Sequence, residues 1–336
     1  MRKFYLLLVL GAFIGCNNRA ANKGDEDGET PPLNAILNRA PGDEPKQDGD
    51  GTLDDAGKMR QRGNEFFAQG DFDQAIEFYT AAIDAKADAK SYFCRGTAHL
   101  SKEELDKALA DFDKAVQLDP TATYLRIDRS QLLQRMGKTA QGINDLDEAL
   151  KHDAKNANIL LQRGLLYVSI GMFDRARDDL SKAIEISPTY TAYINRGYCL
   201  HQKKLYKDAL TDFDQAIKLA PANPLAWSNR GNSYTQLSDF DKAIADLDEA
   251  IKLDGRDPQY YNNRGSAYGA KGDHRRAATD FTRAIELDPE YTPAYRNRGL
   301  AYHTLGEKEL ARVDFQLALQ LQPTVTDGIP AEYLAK

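Results

Sequence analysis

The sequence predicts an all-α repeat protein built from eight similar units, and three observations carry this prediction. After residue 56 of the 336-residue chain, residue types recur with a period of roughly 34. Each period contains two segments in which apolar residues have helical spacing. Proline, which cannot continue a helix, follows the second segment in several periods, at Pro120, Pro188, Pro221, Pro289 and Pro323.

The composition argues against a nucleic-acid-binding function. The chain carries 44 Lys and Arg against 51 Asp and Glu, for a net charge of −7, and 42% of its residues are hydrophobic. This balance is typical of a soluble globular protein. Ten acidic and four basic residues fall within 17–55. The repeat region is therefore nearly neutral and offers no basic field for nucleic acid.

The N-terminus has the features of an export signal. Arg2 and Lys3 precede an apolar run from Phe4 to Ile14, which is shorter than the roughly 20 residues that a membrane-spanning helix needs. We therefore expect residues 1–15 to be a signal peptide.

Gly15 and Cys16 resemble the bacterial lipobox, in which cleavage exposes a cysteine that is then acylated, for example with palmitate. The resemblance implies an exported lipoprotein held on a bacterial membrane through Cys16, on the outer membrane if the organism has one, at its periplasmic or surface face. Two or more acyl chains would hold it firmly. A plain signal peptide with an incidental cysteine is the alternative.

Residues 16–55 are expected to form a disordered acidic linker, because few of them are apolar. Asp48, Asp50 and Asp54 resemble the core of a bacterial calcium loop. However, Lys46 and Gly57 stand where the first and the closing ligand should be, so the linker interpretation is preferred. The remaining cysteines, Cys94 and Cys199, lie three repeats apart and are expected to be free thiols.

Small residues recur at fixed positions within the repeats. Counting from starts at residues 56, 89, 123, 157, 190, 224, 258 and 292, position 27 is always Ala and position 20 is Ala or Gly. Position 8 is Gly in every repeat except the third, and bulky residues occupy position 24. This arrangement lets two helix backbones approach closely while large side chains fill the space around them.

These columns resemble the tetratricopeptide repeat (TPR) family over residues 56–325. The resemblance implies a right-handed α-solenoid whose concave groove is lined by the first helix of each repeat, with residues 326–336 as a partial C-terminal cap. Repeat 3 departs most, with Arg126, Ser130 and Gly142 at unusual positions. Glycine inside a helix costs about 1 kcal/mol relative to alanine, so repeat 3 is expected to be the weakest joint.

Arginine and aspartate form a second repeating pattern. Position 7 is Arg in all eight repeats, and position 23 is Asp in all but the first, which has Phe78. The spacing predicts a structural ladder of ion pairs with the members Arg129, Asp145, Arg163, Asp179, Arg196, Asp212, Arg230, Asp246, Arg264, Asp280, Arg298 and Asp314. Pairing within a repeat is favoured because it leaves only Arg62 without an Asp. Pairing between repeats and solvated charges are the alternatives.

The inner face of the first helices is the candidate binding surface. In the TPR family, position 6 faces the groove, and here the last four repeats place Asn there. This run resembles the asparagine ladder of O-linked N-acetylglucosamine transferases, and Asn can both donate to and accept from a peptide backbone. Neighbouring positions are apolar in the earlier repeats. The candidate groove residues are Asn195, Asn229, Asn263, Asn297, Asn232, Phe93, Ile127, Leu161, Ile194 and Tyr198. Packing between helices is the alternative for both stretches.

No catalytic, cofactor or metal-binding pattern is found in the sequence. The five histidines are scattered, and there is no phosphate loop or nucleophile motif. The carboxylate clamp of chaperone-binding TPR proteins is also excluded, because Asp128 would repel its ligand. The sequence therefore predicts a non-enzymatic scaffold or adaptor that binds protein or extended peptide without a cofactor. An enzyme-associated domain with an unrecognised site and a self-associating spacer are the alternatives.

Overall fold

The computed structural model of the protein describes residues 53–334. Within this range the chain forms sixteen α-helices and no β-strand, as the sequence predicts. Two compact units divide the chain, Met1–Pro188 and Thr189–Lys336, which we call the N-terminal and C-terminal halves. The expected signal peptide, Cys16 and nearly all of the expected linker lie outside the described residues.

The N-terminal half contains repeats 1–4, each a pair of consecutive antiparallel helices. Its helices are α1 (Asp55–Ala68), α2 (Phe72–Ala85), α3 (Ala89–Ser101), α4 (Leu105–Leu118), α5 (Thr123–Arg135), α6 (Thr139–His152), α7 (Ala157–Ser169) and α8 (Phe173–Ile186). Each helix packs against the next one along the chain.

The C-terminal half contains repeats 5–8 and a short tail. Its helices are α9 (Tyr190–Gln202), α10 (Tyr206–Leu219), α11 (Pro224–Gln236), α12 (Phe240–Leu253), α13 (Pro258–Lys271), α14 (His274–Leu287), α15 (Thr292–Leu305) and α16 (Lys308–Leu321), followed by a 3₁₀ helix at Ala331–Tyr333. First helices of neighbouring repeats also contact each other directly, α9 with α11, α11 with α13 and α13 with α15.

The turn between the two helices of each repeat passes through one residue with left-handed backbone, at position 15. Five of these residues are glycines, and the other three are Glu103, Lys204 and Ser238, with φ between 61° and 62°. A side chain in this conformation costs about 1–2 kcal/mol. The tight turn is therefore kept even where the sequence does not favour it.

The small residues at positions 8, 20 and 27 lie where helices approach most closely. A Cβ added at Gly96 would lie 2.7 Å from the ring of Phe112, and one at Gly299 would lie 2.7 Å from the ring of Phe315. Contacts this short do not fit. The predicted close packing of small positions against the bulky residue at position 24 is confirmed.

Repeat 3 reverses the usual arrangement of small residues. A Cβ at Gly142 would lie 2.9 Å from the backbone oxygen of Ser130, so the two helices of this repeat approach too closely for a side chain at position 20. The hydroxyl of Ser130 donates to the carbonyl of Ile127 at 2.7 Å. Gly142 is therefore required by its neighbour, and an alanine would not simply strengthen this helix.

The tail after α16 packs back onto repeat 8. Ile329 and Tyr333 are buried in a cluster with Ala311 and Phe315, whereas Leu334 is 40% exposed. The Nε of Arg296 donates to the carbonyl of Asp327 at 2.5 Å. The tail thus covers part of the apolar end of the last repeat.

Candidate functional site

The arginines at position 7 each hold the aspartate at position 23 of the same repeat. In all seven repeats that have both residues, Nε and Nη2 donate to the two carboxylate oxygens, with Nε–Oδ2 distances of 2.7–2.9 Å. These aspartates are nearly or fully buried. The structure therefore pairs the ladder within repeats, which is the favoured sequence interpretation.

A third bond from several of these arginines reaches the preceding repeat. Nη1 of Arg230 donates to Asp214 at 2.6 Å, and Nη1 of Arg264 donates to Asp248 at 2.6 Å. Arg129 and Arg163 bind Asp113 and Asp147 in the same way. The recurring Asp-x-Asp pairs are explained by this geometry, since the first Asp is the buried partner and the second is the more exposed contact between repeats.

Aromatic rings also lie close to the guanidinium groups of these arginines. The guanidinium of Arg230 lies 4.9 Å from the ring centroid of Trp227 and 6.0 Å from that of Tyr234. Bonds from the two carboxylates raise the pKa of Arg230 above its ordinary value. Because the charges are bonded and largely shielded, the ladder fixes the positions of the helices relative to each other.

Repeat 1 lacks the buried pair, as its sequence predicts. Phe78 replaces the aspartate and stacks on Phe66 with centroids 5.2 Å apart. Arg62 lies over the ring of Phe66 and forms an exposed ion pair with Glu65 at 2.5 Å. A surface pair of this kind contributes at most about 1 kcal/mol.

The four asparagines at position 6 of the C-terminal half are not equivalent. Nδ2 of Asn263 donates to Ser228 at 3.2 Å, and Nδ2 of Asn297 donates to Asn262 at 2.9 Å. Each of these bonds joins a first helix to position 5 of the preceding first helix. One N–H of each of these two amides therefore helps to hold neighbouring helices together.

The other two asparagines have different surroundings. Asn195 is 7% exposed and donates to the carbonyl of Thr191 in its own helix at 2.8 Å. Asn229 is half-buried, and its side chain forms no hydrogen bond within residues 53–334. Position 5 of the preceding repeat is Ile194, whose side chain has no polar atom to pair with an amide.

Asn232 lies one helical turn after Asn229 and shares its face of α11. The Nδ2 of Asn232 is shielded from water and has no hydrogen-bond partner among the described residues. Unpaired buried donors are rare and cost about 1–3 kcal/mol. The middle of α11 thus presents one free amide and one unsatisfied donor side by side.

Ser233 and His201 form a polar cluster beside the backbone of Asn229. The hydroxyl of Ser233 lies 3.1 Å from the carbonyl oxygen of Asn229 and 2.9 Å from Nδ1 of His201. Burial lowers the pKa of His201 to about 4, which keeps the imidazole neutral at pH 7. His201 therefore adds no positive charge next to this part of α11.

Most of the apolar residues predicted to line the groove are buried in helix packing instead, which corrects that expectation. Ile127, Ile194 and Tyr198 are 5%, 9% and 4% exposed. Phe93 is half-buried between the rings of Phe112 and Tyr124, at 5.4 Å and 5.5 Å. A partner could reach them only by displacing their neighbours, whereas Leu161 remains half-buried.

The remaining sequence predictions concern metal, thiols and membrane. Asp48 and Asp50 lie outside the described residues, and Asp54 caps α1 by accepting from the backbone N–H of Gly57 at 2.7 Å, a bond that lowers its pKa. Between residues 53 and 334, no cluster of ligand side chains suited to a metal ion is found. Cys94 and Cys199 are buried and are not joined by a disulfide. Over the same range, no helix is long and apolar enough to cross a bilayer.

Comparison with known proteins identifies the family. Models described as tetratricopeptide repeat match residues 60–123, 127–191, 190–223, 258–291 and 292–325, and one described as TPR repeat matches 231–272. Two helices per repeat and close packing at the small positions are the expected architecture. The chain belongs to the tetratricopeptide repeat family.

Relatives with curated descriptions share only part of their length with this chain. Tetratricopeptide repeat protein 6 of Homo sapiens is 30% identical over 162 residues, which is 47% of this chain and 31% of that protein. Protein unc-45 homolog B of Danio rerio is 31% identical over 116 residues, which is 33% of this chain and 12% of that protein. These matches support the repeat architecture.

Solved structures show the same fold. A tetratricopeptide repeat protein from Parabacteroides merdae matches with a TM-score of 0.56 at 20% identity, covering 79% of this chain and 98% of that one. A repeat protein fragment from Cytophaga hutchinsonii matches with a TM-score of 0.56 at 17% identity, covering 70% and 98%. TPR proteins generally mediate protein–protein interactions and serve as scaffolds or adaptors.

Proposed function

We propose that this protein is an exported, lipid-anchored adaptor that binds an extended segment of a partner protein along α11 in the C-terminal half. The observation that carries the proposal is the amide pair on α11: Asn229 forms no side-chain hydrogen bond within the described range, and Nδ2 of Asn232 lacks a partner there. Membership of a family of interaction proteins supports the same conclusion.

The chemistry of the two amides matches a peptide backbone. A primary amide offers two N–H donors and an oxygen acceptor, so Asn229 can pair with the N–H and C=O of one peptide unit. Asn232 can turn its unpaired Nδ2 toward a second backbone carbonyl. Because neither contact depends on partner side chains, this surface would accept many sequences with similar affinity.

Asn263 and Asn297 have a supporting role in this proposal. Their bonds to Ser228 and Asn262 connect α11 to α13 and α13 to α15. These bonds hold the neighbouring helices in register before a partner arrives. Prior ordering of this kind lowers the entropy cost of binding.

Membrane attachment is the second part of the proposal and rests on the sequence. Arg2, Lys3, the apolar run to Ile14 and the pair Gly15-Cys16 support acylation at Cys16. The linker that comes after Cys16 would hold the repeats away from the surface. The protein would then recruit its partner to a bacterial membrane, without itself catalysing a reaction.

A photo-crosslinking residue placed on α11 tests the proposed surface. Gln236 is exposed one turn beyond Asn232 and accepts the probe without disturbing the core, and Ala245 is exposed on α12 of the same repeat as a matched control. Partners recovered from membranes should crosslink at Gln236 and should not crosslink at Ala245. Equal crosslinking at both positions, or crosslinking at Ala245 alone, would place the partner elsewhere.

A further inference from the structure

The second helix of repeat 8, α16, has an exposed apolar face. Leu310, Val313, Leu317 and Leu321 are between 36% and 52% exposed, and their spacing of three or four residues places them along one side of the helix. We call these four residues the apolar face of α16. The buried residues of α16 are different ones, namely Ala311, Asp314, Phe315 and Ala318. Packing within repeat 8 therefore leaves the apolar face open.

The fold does not account for these apolar side chains. Position 19 is Leu310 in repeat 8 and a polar residue in each of the other seven repeats. Positions 22 and 26 are Val313 and Leu317 in repeat 8, and in the other seven repeats they are polar residues or alanine. Since seven repeats of the same architecture form without them, the apolar side chains are not needed for folding. Exposed apolar clusters of this kind mark interaction surfaces.

We propose that the apolar faces of two copies of this chain pack against each other in an antiparallel dimer. A two-fold axis between Val313 and Leu317 places Val313 of one copy opposite Leu317 of the other, and Leu310 opposite Leu321. Each copy then contributes the same surface, as in most symmetric dimers. This contact is separate from the amide pair on α11, so it does not depend on the proposed binding of a partner there.

The area of the apolar face matches a reversible dimer. Its four side chains expose roughly 300 Å² of apolar surface, which is the size of the largest apolar patch on many monomers. Two such faces bury roughly 600 Å² together, and the exposed polar side chains beside them bring the interface to about 1,200 Å², the lower limit of stable interfaces. These polar side chains are Glu309, Gln316 and Gln320. We therefore expect a dissociation constant of about 10 μM.

The distribution of charge along α16 favours the antiparallel arrangement. Glu309, whose side chain is 85% exposed, lies beside the N-terminal end of the apolar face. Asp314 is buried and held by Arg298, and no charged residue follows it on α16. In the antiparallel pair, Glu309 of each copy therefore meets the amide of Gln320 of the other copy rather than a carboxylate. The dipoles of the two helices also attract each other in this orientation.

Sedimentation equilibrium of the full chain in reducing buffer tests the dimer. The wild type should change from monomer to dimer between about 1 and 100 μM. The variant Val313→Thr/Leu317→Lys carries residue types that other repeats have at these positions, such as Thr279 and Lys182, so repeat 8 should still fold. Its dimer should be at least tenfold weaker, and circular dichroism should show unchanged helix content.

Leu118→Lys/Leu219→Lys is the matched control, because these leucines are 47% and 52% exposed and lie in other repeats. Its dissociation constant should stay within twofold of the wild type. Equal weakening by the two double variants would indicate nonspecific apolar contact, and an unchanged dimer in the variant Val313→Thr/Leu317→Lys would place the contact elsewhere. A wild type that stays monomeric at about 100 μM would leave the apolar face to another protein or to lipid. Each of these three results would overturn the proposal.

Disulfide crosslinking tests the orientation of the two helices. It uses the background Cys16→Ser, since the remaining cysteines, Cys94 and Cys199, are buried. An equimolar mixture of Leu310→Cys and Leu321→Cys chains should form linked dimers on mild oxidation. Either variant alone should not, because its two new cysteines would lie about 17 Å apart along the antiparallel helices, beyond the roughly 7 Å that a disulfide spans. Linked dimers from either variant alone, or none from the mixture, would contradict the antiparallel pairing.

Discussion

Arg230→Ala should destabilise the protein far more than the loss of a surface ion pair. Arg230 makes bonds of 2.7 Å to both oxygens of Asp246 and of 2.6 Å to Asp214. The Asp246 side chain is only 8% exposed, whereas that of Asp214 is 45% exposed. Removing the guanidinium leaves a buried carboxylate uncompensated, which costs about 3–5 kcal/mol. The contact with Asp214 should contribute no more than about 1 kcal/mol.

Double-mutant cycles measured by urea unfolding separate these contributions. Arg230 and Asp246 should couple by about 2–3 kcal/mol, and Arg230 and Asp214 by less than about 1 kcal/mol. Arg230 and Asp212 should not couple, because Asp212 is bonded to Arg196. Hydrogen exchange in repeat 6 localises the effect if the array unfolds in stages.

The pH dependence gives an independent check. Burial raises the pKa of Asp246, and the bonds from Arg230 oppose that rise. Without Arg230 the folded state retains this proton at pH values where the unfolded chain has lost it, so the stability of the variant falls as pH rises through that window. The cost of Arg230→Ala should therefore be smaller at pH 4 than at pH 7. A cost below about 1 kcal/mol at both pH values, or strong coupling to Asp212, would refute the buried ladder.

Four further predictions concern single residues. Gly142→Ala should destabilise the protein by about 1–3 kcal/mol, because the new Cβ would collide with the backbone oxygen of Ser130. Gly269→Ala should stabilise it by up to about 1 kcal/mol, because that Cβ would lie 3.7 Å from its nearest neighbour. Urea unfolding midpoints that rise for both variants would contradict this. Lys204→Gly should raise stability by about 1 kcal/mol, seen as a higher Tm, and a lower Tm would contradict the left-handed turn. Because burial lowers the pKa of His201 to about 4, stability should fall by on the order of 3 kcal/mol between pH 6.5 and 4, and His201→Gln should remove this loss. Cys16→Ser should release the protein from membranes and abolish lipid labelling; unchanged fractionation would end the lipoprotein proposal.

The repeat architecture could be predicted from the sequence because its causes are local. Each repeat of about 34 residues places small residues, a bulky residue and a helix stop at the same positions. Because these positions are the same, the eight repeats pack in similar ways. The within-repeat partner of each Arg could also be predicted from the sequence, since that pairing leaves the fewest charged residues without a partner. The bonds between repeats could not be predicted from the sequence, because they depend on how successive repeats stack. Their acceptors are Asp113, Asp147, Asp214 and Asp248.

The candidate groove was harder to predict because the same residue type has different neighbours. Asn263 donates to Ser228 and Asn297 donates to Asn262, whereas the residue at position 5 of the repeat before Asn229 is the apolar Ile194. The residue at position 5 of the preceding repeat distinguishes the asparagines that have a polar neighbour from Asn229, which does not. The burial of Ile127 and Ile194 could not be predicted by periodicity, since an apolar residue at position 5 can either line the groove or pack against the neighbouring helix. The sequence suggested that Gly142 weakens its helix. The contact that requires glycine there is with a backbone atom, the carbonyl oxygen of Ser130, and a backbone contact leaves no signal in the sequence.

Binding of a partner identified by crosslinking, measured with the variant Asn229→Ala/Asn232→Ala, tests the central claim most directly. Each lost backbone hydrogen bond should cost about 1 kcal/mol, so a folded double variant should bind about tenfold or more weakly. Asn195→Ala, which removes only a bond within its own helix, should bind as the wild type does. Unchanged affinity of the folded double variant would contradict the assignment of the binding surface to α11.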